Sequence, residues 1–193
     1  ILQRNHRALA QQHDFQKHPA EFGGREIEES IFQRDLQQCR QIPSASHPRL
    51  TPFLSLHFHY RMRELAQQIL KKHWGYDAFR PGQIDIVESL MLGKDTLALL
   101  PTGGGKSICF QVPAASKSGT SLVVSPLIAL MKDQVETLNR KGIPAAALHA
   151  GMSRKEIQHT LEQALHGEFK LLYVSPERLA TQNFRGYLPN LNI

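Results

Sequence analysis

Apolar and polar positions along residues 62–193 follow two different patterns. An apolar residue at every third or fourth position predicts a helix, and short apolar runs bounded by turn residues predict strands. The first predicted helix has an apolar face made of Met62, Leu65, Ala66, Ile69 and Leu70. Strands are predicted at 96–100, 121–124, 145–149 and 170–174. Strands that alternate with helices of this length predict a parallel sheet flanked by helices.

The predicted helices between the strands carry start signals. Pro81 suits the first position of a helix because its missing N–H would be unpaired there. Another helix is predicted from about Lys106, after a run of glycines. Two serine-proline pairs are interpreted as a capping residue followed by a first-turn proline: Ser125 with Pro126, whose helix would run to about residue 141, and Ser175 with Pro176. Ser153 and Glu156 fit a capping box.

Residues 1–61 do not follow these patterns. They contain no valine, and apart from helical patches predicted at 3–12 and 26–41 they are predicted to be irregular. The first methionine of the chain is Met62. We therefore interpret residues 1–61 as read-through of upstream DNA or a poorly ordered extension, with natural translation starting at Met62. A genuine accessory segment is the alternative.

Composition narrows the class of protein. Of the 193 residues, 41% are apolar and 21% are charged, which fits a folded domain with a sizeable core. The net charge of +6 permits a phosphate-rich partner without demanding one. Two cysteines, Cys39 and Cys109, exclude a disulfide framework and a four-cysteine zinc site, and Cys109 is expected in the core. No apolar run fits a membrane helix or a signal peptide, so a cytoplasmic protein without a membrane partner is expected.

A glycine-rich loop between a predicted strand and a predicted helix carries the chemistry. Residues 100–107 read L-P-T-G-G-G-K-S and depart from the full phosphate-loop pattern only at Leu100. Glycines let backbone N–H groups face phosphate oxygens, and the helix start adds the positive end of its dipole. The candidate phosphate ligands are Thr102, Gly103, Gly104, Gly105, Lys106 and Ser107. Lys106 is the catalytic candidate, and the Ser107 hydroxyl is the candidate ligand of Mg²⁺.

A second stretch, about twenty residues upstream, predicts an adenine pocket beside this loop. Gln83 carries a donor and an acceptor that can meet the N6/N7 edge of adenine together. Tyr76 and the Arg80 guanidinium offer flat faces for stacking on the base. Without the glycine-rich loop, the same stretch is interpreted as a helix-entry loop whose aromatic residues pack into the core.

Four blocks in this order resemble the RecQ family of DNA helicases: F-R-P-G-Q at 79–83, P-T-G-G-G-K-S at 101–107, S-P-L-I-A-L-M-K-D-Q at 125–134 and S-P-E-R-L at 175–179. The resemblance covers residues 62–193. It implies an α/β fold, the N-terminal part of a RecA-like lobe. It also implies ATP and Mg²⁺ as cofactors, with adenine between Tyr76 and Arg80 and its edge read by Gln83.

The resemblance also implies contacts with single-stranded DNA at the two serine-proline blocks: Ser125, Pro126, Ser175, Pro176 and Arg178. Hydroxyl and N–H groups at helix starts suit phosphate contacts that do not depend on base sequence. Helix capping alone is the other interpretation of these serines. Lys132 and Asp133 are interpreted as a solvated face. The histidine pair 57 and 59, and likewise His149 and His159, is given no metal-binding or catalytic role.

The implied activity is ATP-dependent unwinding of DNA in the three-prime to five-prime direction, in recombination and repair. The family's D-E-x-H motif occurs nowhere in the sequence. Residues 62–193 are therefore interpreted as a lobe that stops before this motif, without the second RecA-like lobe, and the chain alone is expected to be inactive. The alternatives are the ATP lobe of an RNA helicase or another superfamily 2 translocase, and a non-functional fragment of a split gene.

Overall fold

The structure is a computed structural model that describes residues 52–193, with side chains from residue 58 onward. The helical patches predicted at 3–12 and 26–41 lie outside the described residues. The elements in chain order are α1 Pro52–Trp74, α2 Gln83–Met91, α3 Lys106–Ser116, β1 Ser121–Val124, α4 Ile128–Arg140, β2 Ala145–Leu148, α5 Arg154–Leu165, β3 Leu171–Val174, α6 Pro176–Leu179, α7 Gln182–Tyr187 and a 3₁₀ turn at Leu188–Asn190.

The three strands form a parallel sheet in the order β1-β3-β2. Leu171, the first residue of β3, lies opposite Ser121 of β1 and Ala145 of β2. All four residues of β3 are buried, because this central strand has a neighbour on each side and helices over both faces. The predicted α/β fold, with a parallel sheet flanked by helices, is confirmed. No helix in the described part of the chain is long and apolar enough to cross a membrane.

Alternate residues of β3 enter two separate clusters of buried side chains. Leu172 and Val174 pack with residues of α5 and α7, chiefly Ile157, Leu161 and Phe184. On the other face, Leu171 and Tyr173 pack with residues of α3, α4 and the turn after it, chiefly Ala114, Met131, Leu138 and Ile143. These two clusters fix α4 and α5 on opposite faces of the sheet, so the loops at the carboxyl ends of the strands have a rigid support.

Helix α1 buries Met62, Ala66 and Leu70, as its predicted apolar face requires. The helix begins earlier than that face, at Pro52. The domain boundary at residue 62 stays a prediction.

An ion-pair cluster joins α1 to α2. Arg63 Nε donates to Glu88 Oε2 at 2.9 Å, and His59 Nδ1 lies 2.8 Å from Glu88 Oε1. Burial raises the pKa of Glu88, but the hydrogen bonds from Arg63 and His59 outweigh this and leave that pKa below its ordinary value. Arg63 Nη2 donates to Asp85 Oδ1 at 2.7 Å and also lies 2.7 Å from Glu88 Oε2. The cluster therefore holds α2, the helix that begins with Gln83, against α1.

The strand predicted at 96–100 is wrong for the described structure, which has no strand there. Leu97 and Leu99 are 89% and 87% exposed. A β-strand is stabilised by hydrogen bonds to a neighbouring strand, and the sheet of residues 52–193 offers no partner at this segment. The apolar run therefore shows that these residues suit a strand, but it does not show that a neighbouring strand is there to pair with them.

Two predicted helix starts are also wrong, and both helices begin two residues later than predicted. Helix α2 begins at Gln83 after Gly82, whose φ of 80° interrupts the helical backbone that Pro81 was predicted to start. Helix α4 begins at Ile128, and Ser125 Oγ accepts a bond from the Leu127 N–H at 3.4 Å instead of capping the first turn. Pro81 lies in a turn ahead of α2, and Ser125 and Pro126 lie in a bend ahead of α4.

Other starts are confirmed. Helix α3 begins at Lys106. Ser153 and Glu156 form the full capping box of α5, with bonds of 3.3 Å and 2.7 Å between side chains and backbone N–H groups. Ser175 caps α6, and Pro176 is its first residue. Cys109 is buried, as predicted.

Candidate nucleotide-binding site

The candidate phosphate loop runs from Pro101 to the start of α3. Gly103 and Gly105 have φ values of 77° and 74°, a backbone region that residues with a Cβ atom rarely adopt. The Gly104 N–H donates to the Pro101 carbonyl at 3.0 Å and closes a tight turn. A Cβ atom at Gly104 would lie 2.9 Å from that same carbonyl oxygen. The fold of the loop therefore requires glycine at all three positions.

Lys106 is the exposed cation of this loop. Its Nζ donates to the Pro101 carbonyl at 2.8 Å. Among the described side chains, no carboxylate lies within ion-pair distance of Lys106. The first N–H groups of α3, the helix that Lys106 begins, have no acceptor within the helix. Lysine and helix start together form a cationic, donor-rich surface that fits phosphate oxygens. Thr102 is exposed at the entrance of this loop.

Gln83 lies directly behind the phosphate loop, with 2% of its surface exposed. Its Oε1 accepts from the Arg80 N–H at 2.9 Å, and its Nε2 donates to the Gly104 and Gly105 carbonyls at 2.9 and 3.2 Å. A Cβ atom at Gly105 would collide with this Nε2. The amide predicted to meet adenine is thus hydrogen-bonded at both ends to the backbone around the phosphate site.

Arg80 and Tyr76, the two residues predicted to stack on adenine, differ in their contacts. The Arg80 guanidinium donates to the Gly103 carbonyl at 2.6 Å, so it also reaches the phosphate loop. Tyr76 is 53% exposed in the segment between α1 and α2. The structure therefore brings Arg80 and Gln83 to the loop and leaves the Tyr76 ring accessible. The stacking roles stay predictions.

Ser107 is in contact with a residue to which the sequence assigned no role. Its Oγ accepts a hydrogen bond of 3.1 Å from Gln134 Nε2 of α4. The signal in the sequence is periodicity, because Gln134 lies three residues after the buried Met131 and four before the buried Leu138. A polar residue on the buried side of a helix needs a hydrogen-bond partner, and here that partner is the candidate Mg²⁺ ligand.

The residues predicted to contact DNA lie at the carboxyl ends of β1 and β3. The Ser125 N–H donates to the Val174 carbonyl at 3.2 Å, which brings the ends of these neighbouring strands together. Ser175 is 1% exposed, and its Oγ accepts from the Arg178 N–H. Pro126 and Pro176 are exposed. The surface of this edge is therefore formed by backbone, prolines and Arg178 more than by the Ser175 hydroxyl.

Arg178 bridges to the loop that follows β2. Its guanidinium donates to the His149 carbonyl at 3.2 Å, and its Nε is buried with no hydrogen-bond partner among the described residues. His149 is buried, and its Nδ1 accepts from the Gly151 N–H at 3.2 Å. Burial, with the charges of Lys132 and Arg178, lowers the pKa of His149. His149 is therefore neutral at pH 7, and the positive charge of this edge comes from Arg178 and Lys132.

Comparison with known proteins identifies the family of proteins to which this chain belongs. The sequence profile of the DEAD/DEAH box helicases matches residues 80–193, more than half of the chain. The chain belongs to this helicase family. The matched residues include the phosphate loop and both serine-proline segments, and begin at Arg80.

Individual relatives confirm the resemblance to RecQ helicases. The chain is 49% identical over 120 residues to the ATP-dependent DNA helicase RecQ of Synechocystis, an alignment covering 62% of this chain and 25% of the relative. It is 41% identical over 133 residues to RecQ of Bacillus subtilis, covering 68% and 22%. It is 50% identical over 114 residues to the probable ATP-dependent DNA helicase RecS of Bacillus subtilis, covering 58% and 23%. The aligned part of the chain thus spans about a quarter of each relative's length.

Proposed function

We propose that the chain is the ATP-binding portion of an ATP-dependent DNA helicase, which moves along single-stranded DNA in the three-prime to five-prime direction and acts in recombination and repair. The carrying observation is the direct contact of the Gln83 amide and the Arg80 guanidinium with the carbonyls of the phosphate loop. A phosphate loop alone is compatible with many enzymes. A glutamine directly beside it supports an adenine nucleotide as the ligand, because few side chains match the adenine edge. To read that edge, the Gln83 amide would exchange its bonds to the loop carbonyls for bonds to the base.

The residues present fit Mg²⁺-ATP. Lys106 and the N–H groups at the start of α3 would hold the phosphates, and the Ser107 hydroxyl would ligate Mg²⁺. Tyr76 and Arg80 would stack on adenine, and Gln83 would read its edge. Bound ATP supplies the phosphoanhydride bond whose hydrolysis drives movement. The part of the reaction that these residues perform is to bind the nucleotide, orient its phosphates and neutralise their charge.

Contacts with single-stranded DNA are proposed at the edge formed by the ends of β1 and β3. Ser125 and Pro126 lie at one strand end, and Ser175 with Pro176 lies at the other. The part-exposed Arg178 side chain would donate to a backbone phosphate. Donors of this kind recognise the phosphate backbone and leave base sequence unread.

The isolated chain is proposed to bind ATP without hydrolysing it at a useful rate. Phosphoryl transfer needs a complete metal site, a positioned water and a cation that stabilises the transition state. The sequence holds no D-E-x-H motif to supply the first two. We propose that this motif and the second RecA-like lobe belong to the complete protein outside residues 62–193, which works in the cytoplasm.

Replacing Gln83 with alanine tests the adenine pocket. We expect the Gln83→Ala variant to bind ATP about 10-fold or more weakly, because it loses one well-placed recognition pair and the bonds that hold the loop carbonyls. The preference for ATP over GTP should fall as well. Titration of both nucleotides with the purified chain measures this. The control is Gln68→Ala, an exposed glutamine of α1. Equal ATP affinity of the two variants would contradict the adenine pocket.

A further inference from the structure

The bond between Gln134 and Ser107 joins two parts of the site that are distant in sequence. Gln134 belongs to α4, the helix that follows the proposed DNA contacts, and Ser107 belongs to the phosphate loop. The Nε2 to Oγ distance of 3.1 Å is a normal hydrogen-bond length. The helix that presents Gln134 is fixed on the sheet, because Met131 and Leu138 are 0% and 1% exposed. Gln134 therefore reaches Ser107 from a rigid support.

A serine hydroxyl has one donor and two acceptor lone pairs, and it rotates freely unless a partner fixes it. The amide of Gln134 occupies one lone pair of Ser107 Oγ. The second lone pair remains for a cation, and the O–H remains for another acceptor. The bond therefore leaves Ser107 able to ligate Mg²⁺ while removing the rotational freedom that would have to be lost on binding.

We propose that Gln134 is a positioning residue for the metal site, which orients the Ser107 hydroxyl toward Mg²⁺ from α4. The inference rests on the proposed function, since it assigns a role in the binding of Mg²⁺-ATP. Groups that hold the ligands of a metal from behind commonly change metal affinity about 10- to 100-fold when they are removed. The proposed effect is on the concentration of Mg²⁺ that nucleotide binding requires, and leaves nucleotide affinity in the absence of Mg²⁺ unchanged.

The test is a Mg²⁺ titration of ATP binding by the chain and its Gln134→Met variant. Methionine matches glutamine in length but cannot donate a hydrogen bond. We expect the half-saturating Mg²⁺ concentration to rise about 10-fold. ATP binding in EDTA and the thermal unfolding midpoint should stay close to wild type. Glu136→Gln, an exposed substitution on the same helix, serves as the matched control and should leave the Mg²⁺ dependence unchanged.

A second pair of variants separates positioning from general packing. In a Ser107→Ala background, Gln134→Met should have no further effect on the Mg²⁺ dependence, because the hydroxyl that it orients is gone. An equal effect with and without the Ser107 hydroxyl would overturn the inference, as would a Mg²⁺ dependence of Gln134→Met within about 2-fold of wild type. If the wild-type chain binds ATP with no Mg²⁺ dependence at all, the metal part of the proposed function fails, and this inference fails with it.

Discussion

Replacing Lys106 with alanine is expected to lower ATP turnover by the complete protein about 100- to 1,000-fold, a loss typical when one donor that stabilises transition-state charge is removed. The Lys106 ammonium lies at the phosphate loop, 2.8 Å from the Pro101 carbonyl. Because it has no carboxylate partner among the described residues, its charge is available to the phosphates. A steady-state ATPase assay measures the effect.

The stability of the fold should be little affected by this change, since Lys106 is exposed and its ammonium bonds a loop carbonyl and no core residue. Lys155→Ala, which removes an exposed lysine from α5, is the matched control for charge and should keep wild-type turnover. If Lys106→Ala retains more than about a tenth of the turnover of Lys155→Ala, the role of Lys106 in charge stabilisation is refuted.

Replacing Phe184 with alanine is expected to lower the free energy of unfolding by about 3–5 kcal/mol. Phe184 of α7 is 1% exposed and packs in the cluster that contains Leu172 and Val174 of the central strand. Truncation leaves a cavity between α7 and the sheet that the surrounding side chains fill only in part. Because domains are commonly stable by only about 5–15 kcal/mol, this loss is a large fraction of the total.

Urea unfolding of the chain, followed by circular dichroism, measures the effect. Leu188→Ala is the matched control, because Leu188 is 37% exposed in the turn directly after α7. Its truncation should cost less than about 1 kcal/mol, since much of its surface already meets water. A similar loss in the two variants would contradict the packing of α7 on the sheet.

Local signals in the sequence predicted the fold where the deciding contacts are also local. The Ser153–Glu156 capping box involves residues three apart, and its bonds form as predicted. The strand β3 is a continuous run of apolar residues, a pattern typical of a central parallel strand, and all four residues are buried. Both signals depend on nearest neighbours in the chain, so no tertiary information is needed to read them.

Signals that depend on distant partners were less informative. The run at 96–100 has the composition of a strand, but pairing requires a neighbour that the described sheet does not provide. Ser125 and Pro126 look like a helix start, yet the helix begins at Ile128 because Ser125 is drawn to the end of β3 by its bond to Val174. Serine-proline pairs mark a turn before a helix with more certainty than they mark its first residue.

The candidate site also combines features set by nearby residues with features set by residues distant in the sequence. Lys106 and the three glycines could be predicted from spacing alone, because a phosphate loop is a continuous segment. The contact of Gln83 with that loop spans 21 or 22 residues, and the sequence placed Gln83 beside the loop but assigned its amide to adenine and not to the loop carbonyls. The contact of Gln134 with Ser107 spans 27 residues and follows from the packing of α4 on the sheet. Helical periodicity could have placed Gln134 on the buried side of its helix, between Met131 and Leu138, but it could not have named the partner.

The most direct test of the proposed DNA helicase activity is ATP turnover by the complete protein with single-stranded DNA, with single-stranded RNA of the same sequence, and with neither. We predict a low rate without nucleic acid and strong stimulation by DNA, with RNA much less effective. Movement along DNA coupled to ATP requires this dependence. Turnover that is stimulated by RNA alone, or that is unaffected by either nucleic acid, would contradict the assignment of this chain to a DNA helicase.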